Sequence, residues 1–173
     1  VELAERHGAS GDRIGGDPAS EGDLVKIALG ADHAGYTLKT SIHDHLTAAG
    51  HEVLDIGTHS TARTDYPVWG SRTAHAVTSG EAELGIVVCG SGIGISISAN
   101  KVRGARCVVC TEPYSAAMAR RHNDANMLAL GERFVGLDMA NAIVDAFLDA
   151  QFEGGRHAAR VELFDKIESG QTL

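Results

Sequence analysis

The fold is decided by residues 84–101, which read L-G-I-V-V-C-G-S-G-I-G-I-S-I-S-A-N-K. This stretch begins as an apolar run that ends at Cys89, continues as a glycine-rich loop, and ends in small and aliphatic residues. Continuous apolar runs are typical of buried parallel strands, and the residues that follow indicate a tight turn into a helix. Ligands of open α/β sheets bind where such strands end, so Cys89 is predicted to lie at the rim of a pocket.

The loop of this stretch carries Gly90, Gly92 and Gly94, which allow the backbone to come close to a ligand. The helix start behind them presents unpaired N–H groups with partial positive charge, which suit a phosphate or a developing oxyanion and favour a thiolate at Cys89. Such a thiolate is suited to act as a base or a nucleophile, although a packing role for the cysteine stays open. The loop matches neither the dinucleotide fingerprint nor the P-loop, so neither NAD nor ATP is favoured.

On both sides of this stretch, apolar runs alternate with segments of helical periodicity. Further strands are predicted at residues 24–30, 51–56, 105–110 and 127–130, and helices at residues 38–49, 67–79, 113–121 and 136–150, with another ending near residue 101. This alternation favours a parallel sheet that helices cover on both faces. Residues 24–173 are predicted to form one domain. Residues 1–23, rich in Gly, Asp, Ser and Ala, are predicted to be a flexible N-terminal extension.

The composition of the 173-residue chain, with 43% hydrophobic residues and a net charge of -8, is typical of a globular protein with a substantial core. Its acidic balance, without a basic cluster, argues against nucleic acid as a partner. No apolar run approaches the roughly 20 residues of a membrane span, and no secretory signal is visible. We therefore expect a cytoplasmic protein that does not bind membranes.

Three cysteines do not suggest a disulfide framework. Cys107 and Cys110 form a C-x-x-C within a predicted strand, where a spacing of three points the side chains to opposite faces and disfavours a redox or zinc role. The nine histidines are scattered, and the sequence predicts no metal site.

Several polar residues follow predicted strands or helices and are candidates for chemistry. Asp32 and His33 come directly after the first strand, although Asp32 could instead cap the next helix. His122 follows the helix at residues 113–121, where the helix C-terminus by itself favours a charged histidine. Arg156 and Arg160 are four apart, after a helix break at two glycines. On a helix they would share one face, where they could bind a phosphate together or simply be surface charges exposed to solvent.

Five motifs in this order make the chain resemble the type B ribose-5-phosphate isomerases over residues 25–167. The motifs are G-A-D-H-A-G-Y-T-L-K, R-T-D-Y-P, C-G-S-G-I-G-I-S-I-S-A-N-K, R-H-N-D-A-N and E-G-G-R-H-A-A-R. Each motif is modest alone, whereas the ordered set is specific. The wider family includes isomerases of allose 6-phosphate and galactose 6-phosphate.

The resemblance implies a Rossmann-like three-layer α/β/α sandwich with a five-stranded parallel sheet. It implies a homodimer or tetramer whose active sites draw on two subunits. The implied reaction is the reversible conversion of ribose 5-phosphate to ribulose 5-phosphate, a step of the pentose phosphate pathway, without a metal or organic cofactor.

The resemblance also assigns roles to individual residues. Cys89 matches the base that moves a proton between C2 and C1, and His122, with Asp32, matches the groups that assist opening of the furanose ring. Proton abstraction beside a carbonyl leaves an enediolate, for which Ser91 and the amides of residues 90–94 supply donors. Histidine exchanges protons near neutral pH, which suits ring opening.

Other matched positions are implied to bind the substrate. The phosphate is expected among His33, Arg133, Arg156 and Arg160. The sugar is expected to be bordered by Tyr66, Asn123 and the glycines at 90, 92 and 94. His157 is left out of the predicted site, because on a helix it would point away from the two arginines beside it. Ser91 stands where many family members have threonine, which keeps the hydroxyl.

Alternatives remain open at this stage. A subgroup of the family replaces the cysteine by a glutamate later in the loop, but here that position is Ile95, so the thiolate route is the available one. The substrate could be a six-carbon sugar phosphate or a free aldose, since one CH–OH unit changes discrimination by only about 1 to 3 kcal/mol. A non-catalytic sugar-phosphate-binding module and a hydrolase with Cys89 as nucleophile are the competing functions.

Overall fold

The structure, a computed structural model, describes residues 24–173, so the predicted extension at residues 1–23 lies outside the described residues. The strands are β1 Lys26–Ala31, β2 Glu52–Gly57, β3 Leu84–Cys89, β4 Cys107–Val109 and β5 Met127–Gly131. The helices are α1 Tyr36–Ala48, α2 Tyr66–Thr78, α3 Ile93–Ala99, α4 Pro113–Asn123, α5 Leu137–Leu148 and α6 Ala158–Glu168, and a 3-10 turn, Gly155–His157, precedes α6.

The five strands form one parallel sheet in the order β2-β1-β3-β5-β4. After β1 the chain moves outward to β2, and then crosses back over β1 to place β3 on its other side. The carboxyl ends of β1 and β3 therefore flank the point where the direction of winding reverses, which is where open α/β sheets bind their ligands. The predicted Rossmann-like fold with a five-stranded parallel sheet is confirmed.

Helices cover both faces of the sheet, and each face has its own apolar core. One core joins the sheet to α1, α4 and α5, with Leu38, Ile42 and Phe147 among its buried side chains. The other joins it to α2 and α3 and includes Val77 and Ile95. All six residues of β3 are buried, as its continuous apolar sequence predicts. No helix in residues 24–173 has the length and apolarity to cross a lipid bilayer.

Element ends differ from the prediction by a few residues, for identifiable reasons. The first strand starts later than predicted because Leu24 is exposed. The helix predicted to end near residue 101 ends at Ala99, because the Asn100 side chain pairs with the backbone of Cys107: its Nδ2 donates to the carbonyl at 2.8 Å, and its Oδ1 accepts the N–H at 2.7 Å. This pairing fixes the start of β4.

The C-x-x-C cysteines lie on opposite faces of the sheet, as their spacing predicts. Cys107 belongs to the core beneath α2 and α3, and Cys110 to the core beneath α1, α4 and α5. Both thiols are free and buried. Burial, with a smaller contribution from the neighbouring Cys110, raises the pKa of Cys107 to about 12.

A thiol with this pKa stays protonated, and therefore unreactive, at ordinary pH. We expect iodoacetamide at pH 8 to leave Cys107 unmodified in the folded protein and to modify it fully in guanidinium chloride. Peptide mass spectrometry after brief labelling measures both states. Modification of Cys107 in the folded protein at the rate seen in denaturant would contradict the burial that the structure shows.

Candidate active site

A pocket of about 650 Å³ opens at the carboxyl ends of β1 and β3, where the sheet reverses its winding direction. Cys89 ends β3, and Asp32 and His33 directly follow β1. The residues that line the pocket are Asp32, His33, Ala34, Tyr66, Cys89, Gly90, Ser91, Ile93, Gly94, Arg133 and Phe134. Residues from four loops thus meet at one edge of the sheet, because the carboxyl ends of parallel strands all lie at the same edge.

Cys89 lies at the base of the glycine loop with only 4% of its surface exposed. The backbone N–H of Gly92 donates to its Sγ at 3.1 Å. This geometry depends on the positive φ of Gly92, 77°, which L-residues with side chains rarely adopt. The loop therefore turns a backbone donor onto the sulfur, and the helix α3 begins at the next residue.

Asp32 is buried beside the cysteine strand and does not cap α1. Its Oδ1 accepts the N–H of Ala34 at 2.9 Å, and its own N–H donates to the carbonyl of Val88. In the first turn of α1, the N–H of Leu38 instead donates to Oε2 of Glu132 at 2.9 Å. The capping alternative for Asp32 is therefore wrong, and the carboxylate stays at the pocket wall.

His33 is held by the loop before α2. Its Nδ1 lies 3.0 Å from the carbonyl oxygen of Thr64 and 3.3 Å from the backbone nitrogen of the same residue. The indole N–H of Trp69 donates to Oγ1 of Thr64, which ties this loop to α2. The imidazole is thus positioned at the pocket by contacts with a chain segment some thirty residues away in sequence.

Arg133 and Tyr66 pack directly against the glycine loop. The guanidinium carbon of Arg133 lies 3.3 Å from where a Cβ on Gly90 would stand, and the Tyr66 ring lies 2.8 Å from the equivalent point on Gly94. The N–H of Arg133 also donates to the carbonyl of Gly90 at 3.1 Å. Any side chain at these two glycines would displace a pocket residue, and the guanidinium supplies the pocket with a cation suited to phosphate.

Gly35, in the turn that carries Asp32 and His33, is packed against the end of β3. A Cβ there would stand 2.5 Å from the carbonyl carbon of Val88. We expect Gly35→Ala to lower the free energy of unfolding by about 1 to 3 kcal/mol, as overpacking does. Gly136→Ala is the matched control, because a Cβ at Gly136 meets nothing within 4 Å and its φ is an ordinary -77°. Urea denaturation compares the two; equal midpoints would contradict the packing argument.

A second group of predicted site residues gathers at the C-terminal end of α4. His122 lies in the last turn of this helix and stacks on His157, with ring centroids 4.3 Å apart and planes within 5° of parallel. Nε2 of His122 lies 3.8 Å from Oε2 of Glu153. Nε of Arg156 donates to Nε2 of His157 at 3.4 Å. Burial lowers the pKa of His157, and the charges of His122, Arg156 and Arg160 lower it further.

Within one chain, the predicted site residues therefore fall into two groups. His122, Arg156 and Arg160 do not line the pocket of Cys89. Asn123 lines a different groove, between β4 and α6. The two arginines do not share a single helix face either, because Arg156 lies in the 3-10 turn and Arg160 in α6.

The structure brings His157, which the sequence analysis leaves out of the site, into contact with the predicted site residue His122. His157 lies inside the matched motif E-G-G-R-H-A-A-R, where a regular helix would point it away from the two arginines beside it. The 3-10 turn, which follows two glycines with positive φ, instead buries this side chain against His122. Only the motif itself offered a signal for it.

In the described part of the chain, one group of potential metal ligands forms, His122, Glu153 and His157, whose ligand atoms lie within 4.8 Å of one another. Imidazole lone pairs lie in the ring plane, and the two rings are parallel and stacked. Their lone pairs therefore cannot converge on one ion in this arrangement. Arg156 also donates to His157, which places a cation where a metal ion would have to approach.

Comparison with known proteins identifies the family. Residues 27–164 match the family model described as Ribose/Galactose Isomerase. The chain belongs to the ribose/galactose isomerase family. The resemblance found in the five motifs is thereby confirmed.

Individual family members are similar over most of their length. Ribose-5-phosphate isomerase B of Escherichia coli (strain K12) is 57% identical over 145 residues, which cover 84% of this chain and 97% of that protein. D-erythrulose-4-phosphate isomerase of Pectobacterium atrosepticum is 44% identical over 140 residues, covering 80% and 92%. The structure of Clostridium thermocellum ribose-5-phosphate isomerase B superposes with a TM-score of 0.83 at 57% identity, covering 84% of this chain and 98% of that one.

Proposed function

We propose that this protein is an aldose-ketose isomerase that interconverts ribose 5-phosphate and ribulose 5-phosphate through an enediolate. The observation that carries the proposal is a free cysteine at the winding reversal of the sheet, lining a pocket with Asp32, His33, Ser91 and Arg133. The 57% identity to ribose-5-phosphate isomerase B of Escherichia coli supports this substrate. We place the reaction in the pentose phosphate pathway of the cytoplasm.

Cys89 acts as the base in this proposal. Its thiolate removes the proton from C2 of the open-chain aldose, and the electron pair forms the C1–C2 double bond while the C1 carbonyl oxygen becomes negative. The sulfur then returns a proton to C1. The C2 hydroxyl loses its proton as the C2 carbonyl forms, and O1 gains one, so that the atoms of substrate and product balance.

The loop after Cys89 stabilises the enediolate. Ser91 Oγ accepts the N–H of Ile93 at 3.3 Å, which leaves its own O–H free to donate to a bound sugar. The backbone amides of residues 90–94 supply further donors. Donors that are fixed before the reaction stabilise negative charge at little reorganisation cost, which is the largest contribution in many enzymes.

We propose that a homodimer completes each site. His33 and Arg133 line the pocket, whereas Arg156, Arg160 and His122 gather elsewhere on the same chain. A second copy that brings its α4 and 3-10 turn to this pocket would supply the remaining phosphate ligands, and its His122 and Asn123 would assist ring opening beside Asp32.

The surface around the pocket supports such an interface. Ile93 and Phe134 line the pocket and are each more than half exposed, and Ile97, one turn after Ile93 on α3, is also more than half exposed. Large apolar residues grouped at one surface are typical of protein–protein contacts. A tetramer built from such dimers would serve the sites equally well.

The alternative within this proposal is a substrate with a different number of carbon atoms. Six-carbon sugars, as allose or galactose 6-phosphate or as a free aldose, follow from the galactose in the family's description. One relative is named for a four-carbon substrate, D-erythrulose 4-phosphate. A non-catalytic binding module would retain the pocket but not turn over.

The test is to incubate the protein with ribose 5-phosphate in excess chelator and to follow ketose formation. Allose 6-phosphate, galactose 6-phosphate and free allose are run in parallel. We expect rapid conversion of ribose 5-phosphate and at least about tenfold lower kcat/KM for the others. If the protein preferred a six-carbon sugar, that sugar would take the place of ribose 5-phosphate as the proposed substrate. If it bound these sugars but converted none of them, the isomerase assignment would be overturned.

A further inference from the structure

His157 is the most fully enclosed histidine near the proposed site, and its ring covers one face of the His122 imidazole. It is 7% exposed, whereas 37% of the His122 side chain is exposed. The two rings stack at 4.3 Å and are almost parallel. Within residues 24–173 the His122 ring forms no hydrogen bond, since its approach to Glu153, at 3.8 Å, is too long for one.

With no such bond, the stack on His157 is the contact available to restrain the plane of the His122 ring. His157 is itself anchored on two sides. Its backbone N–H donates to the carbonyl of Gly154 at 3.0 Å, and Arg156 donates to its Nε2 at 3.4 Å. The N–H of Glu153 donates to the carbonyl of Arg121 at 3.0 Å, which attaches this segment to the end of α4.

The electrostatics make His157 a neutral partner. Burial and the surrounding positive charges of His122, Arg156 and Arg160 lower its pKa, and Glu153 opposes them only in part. A neutral ring can stack on His122 in either protonation state of the latter without adding a second charge. His122 can therefore keep the same stacking partner while its own charge changes during proton exchange.

We infer that His157 is a positioning residue for the ring-opening step: its ring, stacked on His122, holds that imidazole in the plane from which it exchanges a proton with the furanose. The inference rests on the proposed function, and it assigns His157 no contact with the substrate. Misorientation of an acid or base reduces its contribution, which for general acid–base catalysis is typically about 10²- to 10⁴-fold.

The test separates ring opening from proton transfer at carbon. Ribose 5-phosphate is largely a furanose and must open, whereas ribulose 5-phosphate is an open-chain ketose. Its C1 hydrogen exchanges with deuterium oxide through the enediolate without any ring step. Both rates are measured for the wild type, His157→Ala and His157→Phe, with circular dichroism of each variant. Phe retains the flat ring but not the ring nitrogens.

We expect His157→Ala to lower kcat on ribose 5-phosphate by about ten- to a hundredfold while C1 exchange stays within about threefold of the wild type. His157→Phe is expected to retain most of the ribose 5-phosphate activity. An equal loss of both rates in His157→Ala, an unchanged rate on ribose 5-phosphate, or a loss in His157→Phe as large as in His157→Ala would each overturn the inference. A wild type that catalyses neither reaction would instead overturn the proposed function.

Discussion

Replacement of Cys89 by alanine is expected to lower kcat on ribose 5-phosphate by about 10³-fold or more, because the variant retains the pocket but lacks the base. Sγ of Cys89 receives the Gly92 N–H and forms part of the pocket lining. Substrate affinity should change little, since in the proposed site imidazole and guanidinium groups, and not the thiol, bind the phosphate. Steady-state kinetics and calorimetric titration with ribose 5-phosphate measure the two effects separately.

Cys110→Ala is the matched control for this prediction. It removes the same thiol from a buried position in the core beneath α1, α4 and α5, and leaves the pocket lining intact. We expect its kcat within about twofold of the wild type, with any loss confined to stability. If Cys89→Ala retained wild-type turnover, Cys89 would be a packing residue and another group would have to be the base.

Mixing two inactive variants, Cys89→Ala and His122→Ala, is expected to restore activity if each active site is shared between the two subunits of a homodimer. If each site combines Cys89 of one copy with His122 of another, a heterodimer of Cys89→Ala and His122→Ala contains one site with both native residues and one with neither. Random reassociation then restores about a quarter of the wild-type activity, because half of the dimers are mixed and each has one intact site.

The experiment mixes the two variants, dissociates them in mild denaturant and allows reassociation before assay on ribose 5-phosphate. Each variant taken alone through the same cycle is the control. No recovery on mixing, despite mixed dimers detected by native mass spectrometry, would show that Cys89 and His122 act within one chain. That result would contradict the assembly inferred from their separation in the structure.

Much of the fold was predictable because its signals are local. The apolar run of β3 and the glycines after it specify a buried strand and a tight turn, and the alternation of strands and helices along the chain then requires a parallel sheet. The order β2-β1-β3-β5-β4 could not be read from the residues, because strand order depends on which helices pack on which face. Element ends were missed where side chains such as Asn100 pair with distant backbone.

For the candidate site, residues that follow strands were predictable, and residues that depend on docking were not. Asp32 follows β1 and Cys89 ends β3, so the alternation of strands and helices places both at the carboxyl edge of a parallel sheet, whereas the pairing of β1 with β3 is seen only in the structure. The stack of His122 on His157 depends on how the segment after α5 returns to α4 through the backbone contact of Glu153 with Arg121. A helical spacing rule misplaced His157 because a 3-10 turn, and not an α-helix, carries it.

Isomerisation of ribose 5-phosphate in deuterium oxide tests whether a proton passes through Cys89 by way of an enediolate. The pocket is open to solvent, so a thiol that holds the proton between C2 and C1 exchanges it with the medium. We predict ribulose 5-phosphate that carries solvent deuterium at C1, with no such product from Cys89→Ala. A product whose C1 carries only the hydrogen that was on C2 would contradict a thiol that exchanges its proton with the medium, and undiminished deuterium incorporation by Cys89→Ala would contradict Cys89 as the base.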